Sequence, residues 1–227
     1  MKKRFALLFD LRRCNGCYAC HVACKAEHNI PLGVFRIRVN TFEYGGYPSV
    51  KKVFIPTICA QSGDSSPILK SCTDGSIVLD GNGIVKKNPE RPSYNTKVIN
   101  RIIDSDPYGG VFLHPYDRCV DFCDFCSSTR NVVADEMPAC VTTCNTGAIY
   151  FGNINDPESS ISRYIKKWDG RVWKGEEVKV SRLKENELPG VNVLYIGLKK
   201  EMEEVIGGYR QFDPTFLEVH RWREKGR

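Results

Sequence analysis

The sequence predicts an α+β fold, on three observations. Short apolar stretches of strand length alternate with short helical ones, no apolar run approaches the length of a membrane span, and eleven cysteines gather mainly in two dense regions. The 227 residues suffice for one compact domain or two small ones with a real core. Hydrophobic content of 41% and charged content of 26% exclude a disordered chain. The cysteine count is odd and its density is below that of a small disulfide scaffold, which disfavours a secreted, disulfide-framed protein.

Residues 5–11 are rich in large apolar side chains and read as a first strand. The basic start before them resembles a signal peptide, but Asp10 ends the apolar run and no small-residue cleavage site follows. Residues 14–24 form a tight loop running into a short helix, with Gly16 supplying backbone freedom. A polar stretch follows; Gly45-Gly46-Tyr47-Pro48 breaks the chain, and residues 50–57 read as a strand ending near Pro56. From Cys59 to about Asp117, turn signals such as Gly81-Asn82-Gly83 and Asp106-Pro107 punctuate short apolar pieces, predicting a loop-rich insert with hairpin character. Residues 119–144 are the second cysteine-dense region, and residues 146–152 follow as a turn and strand. Asp156 and Pro157 read as the cap and first position of a helix over 158–167. A strand over 191–198 and a helix over 199–206, stopped by Gly207-Gly208, precede a tail of charges and aromatics.

The net charge of +6 raises a nucleic-acid question, but Lys and Arg are scattered and no basic helical stripe interleaves with aromatics. The cysteines account for part of that charge. Cys14-x2-Cys17-x2-Cys20-x3-Cys24 has the spacing of bacterial ferredoxins, in which three thiolates grip one cubane and the fourth reaches a second cluster. A structural zinc site spaces its cysteines differently. The partner motif is Cys123-x2-Cys126 followed by Cys140-x3-Cys144. Cross-ligation then assigns Cys14, Cys17, Cys20 and Cys144 to one [4Fe-4S] cluster, and Cys24, Cys123, Cys126 and Cys140 to another. Cys119 competes with Cys123, but the Cys123-x2-Cys126 bite is tighter. Two such clusters, each about −2 with its ligands, bring the net charge down to about +2.

These motifs, with Thr146-Gly-Ala148 and Phe151-Gly-Asn-Ile-Asn-Asp156-Pro-Glu-Ser159, resemble the iron–sulfur electron-transfer (beta) subunits of the dimethyl sulfoxide reductase (molybdopterin oxidoreductase) family. The resemblance covers about residues 4–198. It implies a ferredoxin-like two-cluster module over residues 1–57 and 118–198, with a second ferredoxin-like module inserted over 58–117 and residues 199–227 as a partner-contacting tail. It also implies a large catalytic subunit holding a molybdenum or tungsten bis-pterin, to or from which the clusters carry electrons. This chain offers no catalytic site of its own, so none of its residues is assigned a catalytic role.

The inserted module departs from the family pattern and reads as degenerate. Of its eight ligand positions only Cys59 and Cys72 hold cysteine; Ser62 and Ile68 stand at two others, and Pro92, Asn95, Val98 and Ile102 at the remaining four. Several readings stay open for Cys59, Cys72 and Cys119: buried apolar residues, a Cys59–Cys72 disulfide, or a third cluster completed by an oxygen ligand. In the resembled family the module made from the first and last motifs lies nearer the catalytic subunit, so electrons here would leave from the second cluster, to a soluble carrier or by another route. Two rivals remain. One is the beta subunit of a transhydroxylase-type pterin enzyme acting on phenolic substrates without net electron exit; the other is a non-redox scaffold holding zinc or structural clusters. His21 and His28, beside the first motif, read as ordinary helix or surface residues. The chain reads as cytoplasmic, with periplasmic placement by co-export with a signal-bearing partner as the alternative.

Overall fold

The computed structural model describes residues 3–205 apart from Asp135, Glu187 and Pro189, so the predicted tail from Ile206 onward lies outside the described residues. The first strand, β1 (Phe5–Asp10), is buried along its whole length. Its apolar residues are continuous because it is covered on both faces. Leu7 and Phe9 face the main core, while Ala6 and Leu8 face a smaller cluster with Ile161 and Tyr164.

The chain then forms α1 (Ala19–His28) and a hairpin of β2 (Arg38–Tyr44) and β3 (Lys51–Thr57), paired from Arg38↔Thr57 to Tyr44↔Lys51. β2 falls in the stretch read as merely polar. Its residues alternate between core and solvent on a two-stranded ribbon, so few of them signal burial.

Across the insert come α2 (Pro67–Ser71), β4 (Ile77–Leu79), β5 (Val85–Lys87), α3 (Thr96–Ser105) and β6 (Phe112–Leu113). The expected hairpin is β4–β5, turned through Asp80, which accepts the backbone N–H groups of Asn82 and Ile84. α3 was not expected. Asn95 caps it by accepting the Lys97 N–H at 3.0 Å, and Val98, Ile99 and Ile102 form its buried face against α2.

β7 (Val120–Asp121) and α4 (Ala139–Thr142) carry the second cysteine region, and β8 (Ile149–Asn153) follows. α5 (Ser160–Trp168) begins later than expected. Asp156 spends its carboxylate on the Glu158 N–H in a local turn, and the Ser159 hydroxyl caps the helix by accepting from the Ser162 N–H. A small ribbon of β9 (Val172–Trp173) and β10 (Glu176–Glu177) precedes β11 (Val180–Ser181) and β12 (Val193–Ile196).

β11, β12, β1 and β8 form one sheet in that order, with β12 parallel and β8 antiparallel to β1. Residues of the insert, Ile68, Ile77, Val98 and Ile102 among them, share one core with Leu7, Phe9 and the cysteines Cys20, Cys24, Cys123 and Cys140. α1 packs on α4 just as α2 packs on α3. Lys200–Val205 is a 3-10 turn rather than the expected α-helix. Among the described residues no helix is long and apolar enough to cross a membrane.

Candidate metal centre

The loop after β1 is held rigidly before it reaches the first cysteine. Buried Asp10 binds the Arg12 guanidinium through two contacts of 2.9 and 2.6 Å and accepts the Tyr164 hydroxyl at 2.7 Å. Gly16 and Tyr18, both in the left-handed region, then turn the chain into α1. On α1, Cys20 and Cys24 are one helical turn apart and therefore share a face. Cys140 and Cys144 are spaced likewise on and just beyond α4, which packs against α1. Phe125 and Cys126, again with positive φ, bend the loop that carries Cys123 and Cys126.

Near these turns the sequence-predicted cysteines lie close enough to act on one another electrostatically, in groupings that follow the two expected sets. Burial, and then the neighbouring charges of Cys14, Cys144 and Cys17, push the Cys20 thiol up to about 12. Burial raises Cys14 too, with Cys144 and Cys17 adding to it. In the second set, burial pushes Cys123 well above the usual thiol range, with contributions from Cys59, Cys24, Cys126 and Cys140. Cys140 is raised by burial and by Cys126, Cys24 and Cys20, so the two sets adjoin across the α1–α4 contact. Cys17 is exposed and Cys14 and Cys144 are half-buried, whereas all four members of the second set are buried. One set thus faces the surface and the other the interior.

Sequence reasoning missed most of the surrounding polar groups. His28, expected to be an ordinary residue, sits with Nε2 3.2 Å from Sγ of Cys126; its spacing of four from Cys24 on one helix was the available signal. His21 is structural, its Nε2 accepting the Val39 N–H. Arg36 is buried between Asp121 at 2.7 Å and Asp124 at 3.2 Å, and Lys87 reaches Asp121 at 3.2 Å. Burial opposes the Arg36 charge, but the two carboxylates outweigh it and raise the group overall. Two cations and two anions cancel, which makes such a cluster tolerable beside buried thiols.

Outside the two sets, Cys59 is fully buried and its Sγ–H points at the Cys123 carbonyl at 3.2 Å; the Gln61 amide donates to the same oxygen at 2.8 Å. Cys72 instead takes the Ile77 N–H at 3.3 Å, and the neighbours of Cys119 are Lys87, Asp117 and Asp121. Both Cys59 and Cys72 are free thiols, so the disulfide left open above is not formed.

The residues fit iron–sulfur clusters by their chemistry. Each set supplies four thiols, and the Cys144 sulfur accepts a backbone N–H from Ala148 at 3.2 Å. Asn145 lies 3.6 Å from Sγ of Cys17, and its amide can present either its oxygen or its NH2 to that sulfur. Among the described residues no three Cys, His, Asp or Glu side chains converge on the position of a single ion, a convergence that a larger four-iron cluster does not require.

The 4Fe-4S dicluster domain family matches residues 50–154. The chain is 36% identical over 166 residues to Protein NrfC of Escherichia coli (strain K12), covering 72% of each protein. It is 34% identical to the NrfC homolog of Haemophilus influenzae, over 73% of this chain and 72% of that one. It is also 30% identical to the thiosulfate reductase electron transfer subunit PhsB of Salmonella typhi, over 79% of this chain and 89% of the relative. A sequence matched at this level over most of both chains identifies the protein: it belongs to the iron–sulfur electron-transfer subunits of the molybdopterin oxidoreductase family.

Proposed function

We propose that the chain holds two [4Fe-4S] clusters, one on Cys14, Cys17, Cys20 and Cys144 and the other on Cys24, Cys123, Cys126 and Cys140. The observation that carries this reading is the meeting of α1, which bears Cys20 and Cys24, with α4, which bears Cys140 and runs on to Cys144. A bound cluster supplies one-electron exchange, at a potential set by hydrogen bonds, burial and nearby charge. The protein's own residues do the rest. The exposed Cys17 edge, beside Tyr18 and Asn145, faces a catalytic subunit that carries a molybdenum or tungsten bis-pterin. The buried second set receives the electron from the first or passes it back.

The insert is a degenerate second module. Its α2–α3 pair repeats the α1–α4 packing, but Ile68, Val98 and Ile102 occupy the space where ligands would stand, and all three are buried. The electron path therefore ends at the second set, and its outlet is a soluble carrier. Anaerobic iron and sulfide analysis tests the core of this reading: about eight irons per chain are expected. About twelve would revive a third cluster, and zinc alone would overturn the reading. Substitution of second-set ligands alone should abolish turnover with a soluble carrier; unchanged turnover would refute that outlet.

The apolar filling of the insert favours one further reading, a transhydroxylase-type complex acting on phenolic substrates, because a reaction without net electron exit tolerates a shortened path. Conversion of substrate with no acceptor present, and no dye reduction, would select it.

A further inference from the structure

His28 ends α1 one turn after Cys24, on the face that carries the cysteines. Its Nε2 lies 3.2 Å from Sγ of Cys126. Arg36, Asp124, Asp121 and Glu27 are near enough to act on the imidazole electrostatically. A thiolate bound to iron has no proton and only accepts hydrogen bonds. At this distance Nε2 must therefore carry the hydrogen, since the other tautomer would set two lone pairs against each other.

We propose that His28 is a positioning residue for Cys126, whose N–H···S bond raises the potential of the second cluster. The proposal rests on the cluster assignment above. Reduction adds one negative charge, part of which falls on the ligand sulfurs, and a donor aimed at a sulfur favours the reduced form. At the first set the Ala148 N–H reaches the Cys144 sulfur at 3.2 Å, while the side chains of Asn145 and Thr146 lie 3.6 and 3.7 Å from the Cys17 and Cys144 sulfurs.

The test uses the full chain, purified anaerobically with its catalytic partner, in EPR-monitored redox titrations at one pH. His28→Leu should lower the reduced-to-oxidised ratio of the second cluster roughly tenfold at a fixed potential, equivalent to about 59 mV for one electron, with the first cluster unmoved. His28→Gln, which keeps an N–H donor, should restore most of the loss. Pulsed EPR on the unaltered chain should show weak coupling of the second cluster to an imidazole nitrogen, absent in both variants. Unchanged potentials in both variants, or no such coupling in the unaltered chain, overturn the proposal. If His28→Leu loses the second cluster, a near-native potential in His28→Gln still supports the proposal, and a lowered one overturns it. Fewer than two clusters in the unaltered chain would instead overturn the assignment on which it rests.

Discussion

Gly16 lies between Cys14 and Cys17 at φ +69°, where a Cβ would run into the Phe54 ring. Alanine there meets both the left-handed backbone penalty, about 1–2 kcal/mol, and a clash with a ring that roofs the loop. Gly16→Ala should empty the first site and lower the iron content by about half, read by metal analysis and EPR; an unchanged iron count would contradict this account of the loop. Asp106 behaves differently. Burial raises its carboxyl to about 6, against the lowering effect of the Ala60, Gly110 and Tyr108 N–H groups. Between an unfolded value near 4 and about 6, the native state binds the proton more tightly, so stability falls as pH rises through that window. Asp106→Asn should flatten this slope, worth roughly 2–3 kcal/mol. Denaturant midpoints of the full chain at pH 5 and pH 7 provide the check, and equal slopes in the two proteins would sink it. The cysteine motifs proposed as ligands are legible at this scale because their spacing is a local property. The ion cluster of Arg36, Asp121, Asp124 and Lys87 was not, since its members come together only through tertiary packing.

At the scale of elements, α3 shows what spacing alone conceals. Residues 92–102 compare poorly with a cysteine motif, and that comparison obscures their helical period. Val98, Ile99 and Ile102 recur at the interval that buries one face of a helix, and Asn95 is a good cap. Ile102→Ala should cost roughly 2–5 kcal/mol by leaving a cavity in the core, without lowering iron content. Denaturant midpoints paired with metal analysis separate those two effects. Loss of iron with the loss of stability would mean that the helix supports the cysteines directly. The late start of α5 has a similar lesson: Asp156 and Ser159 are both capping residues, and only the fold decides which side chain closes the local turn and which caps the helix.

In the molecule as a whole, the sheet closes the chain on itself. β12 sits between β11 and β1, so residues 193–196 complete a layer begun at residue 5. A chain ending at Gly190 would leave β1 without its parallel neighbour and remove Tyr195 and Ile196 from the core. It should be recovered insoluble or free of iron; a soluble, iron-replete product would contradict this view of the sheet. The strands of that sheet were legible as apolar runs, but their order was not, because pairing joins segments more than 180 residues apart.

The apolar contact between α2 and α3 also bears on how the protein is built. That half packs through buried apolar side chains, whereas the other holds the eight cysteines proposed as cluster ligands. The insert can therefore take shape before iron is delivered, already presenting Cys59 and Gln61 to the backbone of Cys123. Hydrogen exchange on chain made without iron should find the amides of α3 protected while those of residues 14–24 exchange freely. The half proposed to lack clusters would then serve as the mould on which the half proposed to hold them is set.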